Sequence, residues 1–119
     1  MYCTLLKAKL HHLRVTQADL DYEGSLTIDR DLMDAVGILP YEKLLVANIE
    51  NGERFETYAL CGPRGSGVAC LNGAAAHKGK PGDRLIVMVW CTLDDTERLH
   101  HQPKGVRLDA NNRIVAPAF

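Results

Sequence analysis

The dipeptide Asn51-Gly52 stands between two runs of strand-forming residues, KLLVANIE and ERFETYALC. Asn-Gly accepts positive φ at both central positions of a type I′ turn, whose twist matches that of the strands it joins. The segment predicts a β-hairpin with a two-residue turn, the clearest local signal in the chain. In its second arm the two-residue period of a strand puts Arg54 and Tyr58 on one face and Thr57 on the other.

The rest of the chain also reads as short strands between turns. Leu6, Ala8 and Leu10 are predicted to share one face, with Lys7, Lys9 and His11 on the other, and residues 12–16 continue that alternation. Residues 26–29 (LTID) form the next strand. One helix is expected: Asp29 caps RDLMDAV, Asp31 lies in the first turn, and Gly37 closes the helix in the left-handed conformation. GPRGSG (62–67) lacks the Lys-Ser/Thr of a phosphate loop and reads as a mobile surface loop. VACLN (68–72) is a strand, GAAAH (73–77) a small-residue turn, and KPGD (80–83) a tight turn feeding the long buried strand RLIVMVWCTL. Past Asp94 only residues 113–115 suggest a strand. The architecture is mainly β, a small closed barrel or sandwich with one or two short helices.

At 119 residues the chain is about one domain. Its 14 Lys and Arg against 15 Asp and Glu leave a net charge of −1, which excludes the basic footprint of a nucleic-acid binder. The longest apolar run, Leu85 to Cys91, is far short of the ~20 residues a membrane helix needs, so no membrane segment is expected. MYCTLLKAKLHH has no apolar h-region, and the four widely spaced cysteines read as reduced thiols in the cytoplasm. The pairs His11-His12 and His100-His101 invite a metal. Neighbours on a strand point to opposite faces, however, and no third ligand sits at a recognisable spacing, so no metal is expected.

That leaves Gly24-Ser25, inside DYEGSLT. A Gly-Ser pair in a strand pattern is ordinarily a turn or bulge, and Gly65-Ser66 is a second such pair. Whatever singles out Ser25 must come from its surroundings. Taken alone, Arg54 with Tyr58 is a surface pair, and Asn72-Gly73 before three alanines is a turn built for tight packing.

Five stretches, KLHHLRVTQADLDYEGSLTID, NGERFETYA, RGSG, NGAAAH and PGD, occur here in one order. Together they resemble the bacterial aspartate 1-decarboxylase family, pyruvoyl enzymes that make β-alanine for pantothenate. The likeness runs from about Thr4 to Leu93; Cys3, Ala47 and Pro63 depart from the pattern. The resemblance implies a double-psi β-barrel in a homotetramer, with active sites at subunit interfaces. It also implies that the chain cuts itself at Gly24-Ser25 into residues 1–24 and 25–119. The Ser25 hydroxyl attacks the preceding carbonyl, the ester eliminates to dehydroalanine, and hydrolysis leaves a covalent pyruvoyl cofactor. By the same resemblance Thr57 donates to the oxyanion, with Tyr22, His11 and Asn72 around that step. The substrate, L-aspartate, would be held by Arg54, Lys9, Thr57 and the backbone of Gly73, Ala74 and Ala75, with Tyr58 as proton donor. A non-enzymatic barrel module and a histidine-liganded metal enzyme are the alternatives on the same scaffold.

Overall fold

The computed structural model describes residues 1–119. Nine strands, β1 (Tyr2–Arg14), β2 (Gln17–Asp19), β3 (Ser25–Asp29), β4 (Lys43–Asn48), β5 (Arg54–Gly62), β6 (Ala69–Asn72), β7 (Arg84–Asp94), β8 (Lys104–Leu108) and β9 (Ile114–Pro117), lie in the order β2-β6-β3-β5-β4-β7-β1-β8-β9. Because β1 leads straight into β2, the run from residue 14 to 17 ties the middle of one half of the sheet to the far edge of the other. Thr16 makes the join through Ala69, its N–H donating to the Ala69 carbonyl at 2.8 Å. The sheet therefore curls around a core that includes Leu10, Leu13, Leu26, Ile28, Leu44, Val46, Leu71, Leu85 and Val87, and the fold is mainly β and barrel-like, as the strand pattern predicts.

Helix α1 (Arg30–Val36) forms as its caps dictate. The Asp29 carboxylate accepts from the Asp31 N–H at 2.9 Å, Gly37 stands at φ 78°, and Leu32, Met33 and Val36 turn into the core. Asp29 also accepts from the N–H groups of Gly65 and Gly67, at 3.0 and 2.9 Å. Arg64 reaches Asp31 and Asp34 at 2.8 and 2.7 Å. The GPRGSG loop is thus pinned to the helix start, where a mobile loop is the sequence expectation.

Other local expectations change for reasons of tertiary structure. The hairpin forms, with Ala47 opposite Arg54, but its loop runs from residue 49 to 53 and Gly52 alone takes positive φ. Asn48 explains the wider turn. Its side chain is buried against the 78–83 segment, donating to Asp83 Oδ2 (2.9 Å) and the Lys78 carbonyl (3.0 Å), and the Ile49 N–H is taken by the Arg84 carbonyl. The Asn48 backbone still closes the hairpin, its N–H donating to the Glu53 carbonyl (2.8 Å) and its carbonyl accepting from the Gly52 N–H (2.9 Å), whereas Ile49 is turned toward β7, so the pairing ends at Asn48 and Asn51-Gly52 falls inside the loop.

Two bulges break the alternation along β1, at Lys7 and His12. Leu6 pairs with half-exposed Trp90, whereas Ala8 pairs with buried Val89, so Leu6 is not on the Ala8 and Leu10 face. After His12, which takes φ 68°, the buried positions shift phase to Leu13 and Val15. The same bulge brings the His11 and His12 rings into a stack with centroids 4.0 Å apart, where regular strand geometry would separate them. Strand β7 buries only Leu85, Val87 and Val89, one face of the segment read as buried throughout. Strand β8, which pairs in parallel with β1, lies in the stretch that looks structureless in sequence.

Three carboxylates and two histidines are lowered by this packing. Hydrogen bonds from the Arg84 side chain and N–H hold Glu50 down at about 2. Asp34 is lowered by Arg64 and Arg30, and Asp109 by the Arg113 and Asn111 N–H groups. Burial, then the neighbouring positive charges, lowers His11 and His12 from their ordinary 6.5. For the carboxylates the depressed folded value means stability present above the unfolded value and lost as pH falls through the folded one. A depressed histidine acts the same way, because below 6.5 the unfolded chain takes up the proton more readily. The melting temperature is expected to fall steadily on acidification from pH 7, and Glu50→Gln should flatten the part of the curve below the ordinary glutamate value of 4.5. A melting temperature that rises or stays level across this range would contradict the assignment.

Candidate active site

Ser25 opens β3 directly opposite Asn72 on β6, because the two strands are antiparallel and in register. Ser25 is fully buried. Its Oγ accepts from Asn72 Nδ2 at 2.8 Å and donates to the Glu23 carbonyl at 3.3 Å. Asn72 Nδ2 also donates to Thr27 Oγ1 at 2.9 Å, while Asn72 Oδ1 accepts from the Cys70 thiol at 3.1 Å.

After Asn72 the chain turns into a 3-10 segment, Gly73–His77, through Gly73 at φ 65°. A Cβ on Gly73 would stand 2.8 Å from each of Gly24 Cα, Gly24 N and the Tyr22 carbonyl oxygen. Real Cβ atoms do not approach that closely, so the NGAAA turn is glycine at this position because the Gly24 backbone lies flush against it. Tyr22 itself is 55% exposed, and only its carbonyl enters this contact.

Beside Gly24 opens a cavity of about 340 Å³. Of the residues singled out in sequence, Gly24, Thr57, Tyr58, Ala74 and Ala75 line it. Tyr58 lies tilted against Tyr41 at 6.5 Å. Phe55, Glu56 and Lys78 complete the wall and escape sequence reading. Glu56 is paired with Lys43 and Lys78 with Glu53, both at 3.0 Å and largely in solvent, where such pairs are worth little.

Lys9, His11 and Arg54 do not line this cavity. The ladder registers put His11, Ile86, Ala47 and Arg54 in one row across β1, β7, β4 and β5, and Lys9, Met88, Leu45 and Glu56 in the next. Lys9 is therefore three strand spacings from Glu56, roughly 14 Å along the sheet. Lys9 and His11 do share a face, as their spacing predicts. Arg54 is exposed and donates to the Gly52 carbonyl at 3.2 Å. The isolated chain thus holds a cavity beneath which Ser25 is buried, and a basic, partly apolar stretch of sheet beyond its rim.

Nothing in the chain gathers three His, Cys, Asp or Glu side chains in metal-binding geometry. A second cavity, about 350 Å³ and lined by polar residues, uses its Asp83 to hold Asn48 and the Lys80 N–H, which gives that carboxylate a structural role.

These features define a small barrel-like β protein in which a glycine borders a ligand-sized cleft and the serine that follows is buried beneath it. The family model for aspartate decarboxylase matches residues 1–115. The aspartate 1-decarboxylase of Shouchella clausii is 57% identical over 115 residues, covering 97% of this chain and 91% of the relative. That of Syntrophobacter fumaroxidans is 57% identical over 112 residues (94% and 90%), and that of Neisseria meningitidis serogroup C is 53% identical over 114 (96% and 90%). The chain belongs to the aspartate decarboxylase family.

Proposed function

We propose that this enzyme converts L-aspartate to β-alanine and CO₂ after cutting its own Gly24-Ser25 bond, giving residues 1–24 and 25–119, the second beginning with a pyruvoyl group. The observation that carries the reading is the placement of this one Gly-Ser pair in a chain of the aspartate decarboxylase family: Gly24 borders the cavity and the Ser25 hydroxyl is buried behind it. Gly65-Ser66 has no such setting, since Ser66 is exposed and its hydroxyl donates to the Pro63 carbonyl.

The residues present fit the group. Ser25 is enclosed, Gly73 leaves room for no atom between itself and Gly24, and the small side chains of Ala74 and Ala75 keep the cavity open to a four-carbon acid. A pyruvoyl ketone supplies an electron sink for loss of the substrate carboxylate. For self-cleavage, Asn72 donates to the nucleophilic oxygen and Thr57 supplies the donor for the oxyanion at Gly24. In turnover Tyr58 returns a proton to the substrate carbon, and the backbone of Gly73 to Ala75 cradles the ligand.

Arg54 offers a planar fork and Lys9 a point charge for the two carboxylates. Because Lys9, His11 and Arg54 stand away from the cavity of their own chain, their roles require a second copy to bring its basic face against the cleft. The half-exposed Leu45, Ile86, Met88 and Trp90 between them supply the apolar surface for that contact. A homotetramer with sites shared between subunits satisfies this need. The chain's four cysteines are free, in keeping with a reducing cytoplasm.

The direct test is to supply L-aspartate and measure products. β-Alanine and CO₂ should form one to one; an intact-chain preparation that still forms them, or a cleaved one that forms neither, would contradict the reading. Gly73→Ala should block maturation, since its methyl displaces the Gly24 backbone from in front of Ser25. Mass spectrometry of that variant should show a single uncut chain, and normal cleavage would show that the close contact has no part in the step.

A further inference from the structure

Ser25, Thr27, Cys70 and Asn72 form two directly opposed pairs on the β3–β6 ladder, Ser25 with Asn72 and Thr27 with Cys70. Residues two apart on a strand share a face, so four polar side chains meet on one patch of sheet. Three of the four hydrogen-bonding positions of the Asn72 carboxamide are taken there: one amide N–H goes to Ser25 Oγ, the other to Thr27 Oγ1, and Oδ1 takes the Cys70 thiol.

A carboxamide has a second orientation, turned over about its Cβ–Cγ axis. In that orientation Oδ1 would face both hydroxyls and an N–H would face sulfur. The Ser25 proton would then be drawn to Asn72, and Oγ would lose its donor. An S–H pointing at Oδ1 favours the orientation observed. Cys70 is 8% exposed, and burial, followed by the charge of Asp19, holds its thiol above the ordinary range, so the S–H is present at neutral pH.

We propose that Cys70 is a positioning residue for self-cleavage, its thiol locking the Asn72 carboxamide with Nδ2 against the Ser25 hydroxyl. The proposal rests on the self-cleavage reading above. As Oγ attacks the Gly24 carbonyl and gives up its proton, the bond from Nδ2 becomes charge-assisted and strengthens, whereas a turned carboxamide would oppose the developing charge. The hydroxyl proton meanwhile points to the Glu23 carbonyl, clear of Asn72. Thr27 is the second half of the device, since its Oγ1 receives the other N–H.

The test follows cleavage of freshly synthesised full-length chain over time by denaturing mass spectrometry. Cys70→Ala and Cys70→Val should cleave about tenfold more slowly, the scale of one lost hydrogen bond, while folding to the same circular dichroism spectrum. Cys70→Ser keeps a donor in place and should restore a rate close to the parent's, a rescue that a mere packing role would not give. Thr27→Val, of nearly unchanged shape, should also slow the step, and it carries the test if the apolar Cys70 variants fail to fold. Parental rates in Cys70→Ala and Cys70→Val, a Cys70→Ser chain as slow as Cys70→Ala, or a parental rate in Thr27→Val would overturn the proposal. A parent chain that never cleaves would instead bring down the self-cleavage reading and this proposal with it, whereas a cleaving parent with indifferent variants brings down only the role of Cys70.

Discussion

Ser25→Ala should remain one uncut chain of 119 residues and form no β-alanine. In the proposed maturation the hydroxyl is the nucleophile that breaks the Gly24-Ser25 bond and then the group lost in the elimination that leads to the ketone, so its removal takes away maturation and turnover together. The fold should survive. Alanine fills nearly the same buried space, and the loss falls on Asn72 Nδ2, which keeps Thr27 as a partner. Leaving one buried donor unsatisfied costs about 1–3 kcal/mol, against a typical domain stability of about 5–15 kcal/mol. The variant should therefore melt a few degrees lower yet show the parent's circular dichroism spectrum. An uncut Ser25→Ala protein that still releases CO₂ from L-aspartate would end the pyruvoyl account.

Arg54→Ala should behave in the opposite sense, maturing normally and then losing most of its decarboxylation. Arg54 is exposed and bonds only a loop carbonyl, so its removal leaves the core and the Ser25 surroundings untouched. In the assembled site its guanidinium would face a substrate carboxylate removed from water. Truncating one partner of such a pair typically costs about 2–5 kcal/mol, or roughly 30-fold to several thousand-fold in rate. Steady-state CO₂ release by the fully cleaved variant checks this. A rate within a factor of a few of the parent's would show that Arg54 does not bind substrate.

The parts of this fold legible in sequence are those decided by neighbouring residues. Asp29 and Gly37 bracket α1 because caps act within a turn, and the strand character of residues 43–48 and 54–62 follows from composition and a local break. What the sequence conceals is decided across the sheet. The bulges at Lys7 and His12 exist because β1 must keep register with β7, and they move Leu6 off the core face and stack the two histidines. Asn48 widens the hairpin loop through bonds to Asp83 and Lys78, more than 25 residues away. KGVRL becomes a strand because β1 offers it a parallel edge on one side and β9 pairs antiparallel with it on the other.

The site divides along the same line. The resemblance carried by DYEGSLT, NGERFETYA and NGAAAH names Gly24, Ser25, Thr57, Tyr58, Asn72 and Gly73 to Ala75, and these do gather at or beneath one cavity. Phe55, Glu56 and Lys78 line the same cavity with no motif to announce them. Thr27 and Cys70 were discoverable in principle, each lying two residues from a named site residue on the same strand face. Lys9, His11 and Arg54 stand outside that cavity, and their separation from it across the sheet cannot be read from the pattern of a single strand.

The central claim, that the chain makes its own cofactor at Gly24-Ser25, is tested most directly by denaturing mass spectrometry of purified protein. The account predicts two fragments: residues 1–24 with a free carboxylate, and residues 25–119 lighter by one ammonia than the same fragment would be with an amino-terminal serine. An active preparation that gives a single mass for the intact 119-residue chain, or a cut at any other bond, would contradict it.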